Sequence, residues 1–368
     1  MKRTKIISEI TCYLSGFVMV IYCCMLVAEG NAVKGGIAEA VSRCVNIIIP
    51  SLFAFMAVSS LLINSGLYRY VSKPLAPFSK YLLGIPPELF FVFLMGNISG
   101  YPMGIKMLSD MVKEGRISQR TAEITAVSCC GGGPAFFTGT IGLAVFGSTR
   151  IGLIIFLSSL SANFIMAFIT GHIFRPSALK SENKIRFTSQ VFTDSVLSAG
   201  KSLFTICLMI VFFSTCMTFA DITGVFSMVK KVTGCSDNIL ALVKSVVEIT
   251  SVTQLDGNSY GLLPAVSAVC SFGGICVMVQ ITAVCKGSFS LRYFFLTRPL
   301  NALMSALICF LLKSVMLPDY VPASVVSCDV LVNFNNFIPS FCLIMMILLL
   351  NLKKRIVFSK GLCYNKKQ

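Results

Sequence analysis

Apolar residues fall along this chain in long runs, near 10–28, 43–64, 121–146, 150–174, 198–220, 260–284, 289–313 and 333–351. Each run is long enough to cross ~30 Å of hydrocarbon at ~1.5 Å per residue. Two further apolar segments, 85–104 and 238–256, are more broken. The pattern predicts an all-α polytopic membrane protein.

The first broken segment carries Gly96-Asn97-Ile98-Ser99-Gly100-Tyr101-Pro102-Met103-Gly104. Glycine costs ~1 kcal/mol and proline ~3 kcal/mol in a helix interior. Backbone groups freed at membrane depth need partners, so such a break persists only inside protein or beside a water-filled cavity. That makes it a candidate substrate site.

Composition narrows the class. Apolar residues make up 55% of the chain and charged residues 12%, with mean hydropathy +0.83, outside the range of a soluble globular domain. A net charge of +16 would suggest nucleic acid in a soluble protein. In a polytopic one the cations orient the spans from short loops, and no nucleic-acid partner is expected. Most of the 16 cysteines lie inside spans as small apolar packers, there is no CxxC pair, and the one histidine, His172, ends a span. Neither a disulfide framework nor a zinc site is expected, and no cofactor is implied. The sequence lacks HExxH, GxSxG and P-loop motifs, so an enzyme is not expected.

Loop charge then chooses a topology. Ten straight crossings would put the cations of 106–120 and 175–201 outside the cell. Eight crossings with 85–104 and 238–256 as re-entrant hairpins place most lysines and arginines inside, Lys106, Lys201, Lys286, Arg292 and Arg298 among them. Both termini are then cytoplasmic, and the first span, preceded by Lys2, Arg3 and Lys5, reads as a retained signal anchor.

Short matches recur in order along the chain. Ser51-Leu52-Phe53 returns as Ser202-Leu203-Phe204, Ala126-Val127-Ser128 as Ala265-Val266-Ser267, and Gly147-Ser148 as Gly287-Ser288. Each copy holds one span, one hairpin and two spans; three crossings is odd, so the copies face opposite ways, as in many secondary transporters. The expected layout is a signal anchor and loop over 1–42, repeats over 43–175 and 198–315 joined by a cytoplasmic linker at 176–197, and a helix with a basic tail over 316–368. The broken segments 85–104 and 238–256 occupy corresponding positions, the sequence pointer to a midplane site.

Three stretches carry a family resemblance: Ser99-Gly100-Tyr101-Pro102-x-Gly104-x-Lys106, Glu248-Ile249-Thr250, and Ser271-Phe272-Gly273-Gly274 followed by Gln280. They resemble the Gate-domain, or nucleoside recognition, membrane proteins, and within these the sporulation integral membrane protein branch of spore-forming Firmicutes. The resemblance covers roughly residues 45–315 and implies a transporter-like fold. One departure is Cys129-Cys130-Gly131-Gly132-Gly133-Pro134, where the family shows Asn and Ser before the proline.

The candidate site draws on both broken segments. Glu248 is a carboxylate in an apolar stretch, which is costly and usually functional. It suits a coupling proton or cation, or a substrate donor; the competing reading is an ion pair with Lys244 at i,i+4. Thr250, Ser251 and Gln254 extend that polar stripe. Asn97, Ser99 and Tyr101 offer groups suited to a neutral polar ligand beside Gly100 and Pro102. Ser128 and Ser271 lie next to the glycine breaks, where Gly273 and Gly274 serve either close helix packing or ligand access. Gln280 sits deep in its span and needs a partner. Two functions follow: a transporter of a small polar solute, nucleoside-like by the family name, or a non-transporting scaffold for spore cortex or envelope formation. The bilayer is the expected partner, and a homo-oligomer fits either function.

Overall fold

The computed structural model describes residues 13, 16–17, 19–176, 185 and 187–317. The expected span at 333–351, the basic tail, part of the 176–197 linker and the cations Lys2, Arg3 and Lys5 lie outside them.

Every regular element among the described residues is helical. Four stretches are long and apolar enough to cross a membrane: Thr149–Phe174, Ser189–Ile222, Tyr260–Cys285 and Arg292–Met316. Two bent pairs raise the number to six if each is one span. Met19–Ala28 (α1) meets the helix beginning at Gly30 (α2) at 98°, and Leu52–Ser65 (α3) meets Tyr68–Leu83 (α4) at 100°. Gly66 makes the second bend, closing α3 in a left-handed conformation (φ 80°) that a side chain would disfavour. The stretch between the apolar runs 43–64 and 85–104 is therefore largely helical.

Pro87–Ile98 (α5) and Met103–Lys113 (α6) follow, packed against each other. Pro87 starts α5 in the first turn, where no amide partner is lost. At ~18 Å, its twelve residues cannot cross ~30 Å of hydrocarbon. The stretch read as one span at 121–146 is two short pieces, Gln119–Ala126 (α7) and Phe136–Leu143 (α8), separated by the Gly131-Gly132-Gly133-Pro134 break. Ser118 caps α7 by accepting from the Thr121 amide at 3.1 Å. Thr149–Phe174 (α9) completes the first half.

A similar order returns in the second half. Ser189–Ile222 (α10) leads through Val225–Thr233 (α11) to Asp237–Val247 (α12), which stops at Glu248 and continues as a 3-10 turn over Ile249–Gln254. Leu263–Phe272 (α13) and Gly274–Cys285 (α14) are divided at Gly273, and Arg292–Met316 (α15) ends the described chain. Helices α9, α13 and α15 pack around the centre, while α3 pairs with α10. One buried apolar core runs through both halves.

Glycine lets the breaks approach one another. A Cβ on Gly96 or on Gly104 would collide with the Cys129 carbonyl oxygen, and one on Gly100 would stand 3.0 Å from the Gly133 amide nitrogen. The first hairpin and the Cys129–Pro134 break thus meet backbone to backbone, which the sequence left open between packing and ligand access.

Candidate functional site

Three carboxamides from three helices meet at the centre. Asn97, near the end of α5, donates to the Phe93 carbonyl at 2.8 Å and to the Ser128 carbonyl at 3.1 Å. Both amide hydrogens are spent on carbonyls, so its Oδ1 must accept. It does so from Asn163 Nδ2 of α9 at 2.7 Å, and the same nitrogen reaches the Cys130 carbonyl at 3.2 Å. Asn163 Oδ1 then accepts from Asn301 Nδ2 of α15 at 2.6 Å, and Asn301 Oδ1 accepts from Ser271 Oγ of α13 at 2.9 Å. The relay runs one way, its polarity set by the carbonyls at the Asn97 end. All three asparagines and Ser271 are at most 2% exposed.

A glycine makes room for the first link. A Cβ on Gly131 would lie 2.6 Å from Asn97 Oδ1 and 3.1 Å from Asn163 Nδ2.

Arg298 stands beside the relay. Loop charge assigned it to a cytoplasmic loop; it is instead 1% exposed inside α15, in an apolar run that continues on both sides of it. Its Nη1 donates to the Cys130 carbonyl at 3.0 Å and the Ser271 carbonyl at 3.2 Å, and its Nη2 to the Val127 carbonyl at 3.2 Å. Phe294 lies under the guanidinium, 4.2 Å from ring centre to Cζ. No carboxylate pairs with it among the described residues. The compensation comes from backbone: Val127 closes α7 and Ser271 sits in the last turn of α13. Each helix C-terminus carries roughly −0.5 of a charge, so two together offset one guanidinium. A planar fork with several donors suits this arrangement better than an ammonium.

Tyr101 closes the group from the first hairpin. Its hydroxyl donates to the Cys270 carbonyl at 2.5 Å, its peptide bond to Pro102 is cis, and its ring lies 3.5 Å from where a Gly273 Cβ would stand. Gly273 (φ 92°) needs its left-handed freedom to end α13 there. Ser99 is buried with its hydroxyl unpartnered among the described residues, and the Ser128 hydroxyl donates to the Thr125 carbonyl at 3.3 Å.

Glu248 forms a second, separate cluster. It is 4% exposed and caps the 3-10 turn, accepting from the Thr250 amide at 3.2 Å and from the Thr250 hydroxyl. The expected competitor, Lys244, does not pair with it: Lys244 Nζ bonds Asp221 at 2.6 Å. The helix ends before Glu248, so the i,i+4 geometry is lost. Gly274 lets the start of α14 close on this turn, since a Cβ there would lie 3.1 Å from the Ser245 carbonyl. Gln280, one helix turn beyond Cys276, donates to its sulfur at 3.2 Å. Ser251 is buried beside the cap, and Gln254 is exposed at the end of the turn.

The structure thus joins Asn97, Ser128, Tyr101, Ser271 and Gly273 around one centre, and Glu248, Thr250, Ser251 and Gly274 around another. Asn163, Asn301 and Arg298 were not expected in either. A single asparagine in an apolar span draws little notice, but the signal was the cost of any amide or charge at that depth.

Fold and centre together define a multi-pass helical membrane protein with broken helices around a buried polar core. Over 159 residues, 43% of the chain, it is 30% identical to the sporulation integral membrane protein YlbJ of Bacillus subtilis (strain 168). The match takes in 38% of that relative's length. No family model matches the chain, and no solved structure matches it.

Proposed function

We propose that the chain is a transporter-like membrane protein of sporulation that binds or moves a small polar solute, with the asparagine relay as its binding centre in a closed state. The observation that carries this reading is the meeting of Asn97, Asn163 and Asn301 with Arg298 between two broken-helix ends, one from each half. Amides that bond one another when closed are the groups that would bond a neutral polar solute once the halves part; a nucleoside-like ligand, with ring donors and acceptors, fits that chemistry. The two halves are inverted repeats, and 85–104 and 238–256 are hairpins entering from opposite faces. Glu248 is the group for a coupling proton or cation. The protein is not an enzyme on this reading, both termini are cytoplasmic, and a homo-oligomer is compatible with it. Resemblance to the Gate-domain type and likeness to a sporulation protein support it.

A second reading has its own support. Every carboxamide in the relay is already satisfied, as a permanent scaffold for spore cortex or envelope formation would require. Complementation separates the two. A spore-forming host deleted for the protein should fail in spore maturation, and a Glu248→Gln variant, which leaves the relay intact, should not restore it while reaching the membrane in normal amount. Restoration by that variant would favour the scaffold.

A further inference from the structure

A cleft of ≈230 Å³ opens where α6, α10 and the end of α14 meet. Four lysines line it, Lys106, Lys113, Lys201 and Lys286, against Asp110 and Asp194. They come from three basic segments distant in sequence, and the fold gathers them at one end of the bundle. The Ser109 hydroxyl ties α6 to the end of α14 by donating to the Cys285 carbonyl at 3.2 Å.

The charges in the cleft do not cancel. Lys106 is buried and takes up Asp110 at 2.5 Å, with Ser198 Oγ accepting its second bond at 3.0 Å. That leaves Lys113, Lys201 and Lys286, all exposed and outside any ion pair among the described residues, facing Asp194 alone. Like charges held in a partly enclosed space repel, and an anion relieves them. Lys286 also holds a left-handed backbone (φ 50°) at the cap of α14, a conformation costing ~1 kcal/mol for a residue with a side chain. Glycine would close the helix more cheaply, so the ammonium is kept at a conformational cost.

We propose that this cleft binds phosphate, as the headgroup of an anionic phospholipid or as a free phosphate. Ammonium groups converging from several elements supply the donors a phosphate needs. Basic pockets between helices at a cytoplasmic surface suit lipid headgroups, and Leu197 and Val284 give the cleft an apolar wall. The site lies apart from the asparagine relay and stands or falls independently of the solute proposed there.

The test uses the full chain in phosphatidylcholine nanodiscs. Its unfolding temperature is followed as phosphatidylglycerol replaces part of the lipid, and separately as inorganic phosphate replaces chloride at fixed ionic strength. Stabilisation by at least one is expected, and lost in K113Q/K201Q/K286Q but kept in a charge-matched control outside the cleft, K34Q/K73Q/K231Q. A response to lipid alone assigns the headgroup; a response to both assigns phosphate itself. No stabilisation by either, or equal loss in the control, overturns the proposal. Should the triple variant not fold, K201Q is scored alone: binding about fivefold weaker is expected for one lysine near the surface, and unchanged binding is the overturning result.

Discussion

Asn301 donates a 2.6 Å hydrogen bond to Asn163, joining α15 to α9 at the buried centre of the protein. That bond links the relay rooted in the first hairpin to Ser271 at the break of the second half. Removing Asn163 would leave Asn97 Oδ1 and Asn301 Nδ2 unpaired, each at ~1–3 kcal/mol. Asn163→Ala should therefore lower stability by ~2–4 kcal/mol, read as a fall in unfolding temperature in detergent. Gly131→Ala should act on the same link by displacing Asn97 and Asn163. The double variant should lose much less than the two single losses added, because both break one bond.

Arg298 is held by three carbonyls and an aromatic face, with helix ends as its counter-charge. Arg298→Lys keeps the charge yet cannot span those carbonyls, so it should destabilise by about 2 kcal/mol or more. Folded yield and unfolding temperature check this. A fully stable lysine variant would mean that charge alone suffices.

Glu248 and Lys244 part company, and their variants should too. Glu248→Gln keeps an oxygen to cap the Thr250 amide, so stability should change by less than ~1 kcal/mol. Solute uptake or efflux should nevertheless be abolished in vesicles. Lys244→Ala removes a partly exposed pair with Asp221 and an ammonium 4.8 Å from the Phe226 ring centre, together about 1–2 kcal/mol, and should leave transport intact.

Lys106, Lys113, Lys201 and Lys286 gather around one cleft, which the proposed topology puts on the cytoplasmic side. Ser118→Cys, placed in the loop between α6 and α7 of a variant without other reactive thiols, should resist an impermeant maleimide in intact cells and react after permeabilisation. Labelling from outside would contradict the cytoplasmic placement of that loop.

Much of this was legible from residue pattern because glycine and proline mark breaks wherever they fall in apolar sequence. Gly96 to Gly104 and Gly131 to Pro134 could not be plain helix, and they are not. Glu248 was legible as a costly carboxylate, but its partner was not, since i,i+4 pairing presumes a helix that ends one residue too soon. Arg298 was misplaced because loop charge grouped it with Lys286 and Arg292 on the inner side, although it lies within the apolar run 289–313. Asn163 and Asn301 are each the one asparagine of a long apolar helix; only the tertiary meeting of α9 and α15 gives each a partner.

The central claim is that the relay opens to a small polar solute. Its most direct measurement is untargeted mass spectrometry of solutes retained by the purified full chain, set beside an Asn163→Asp variant first shown by its unfolding temperature to be folded. A neutral polar solute, nucleoside-like in its ring donors and acceptors, should be enriched on the native chain and at least about tenfold depleted on the variant, the equivalent of ~1.4 kcal/mol. No enriched solute, or equal retention by both, would contradict the account and leave the relay a permanent structural bond.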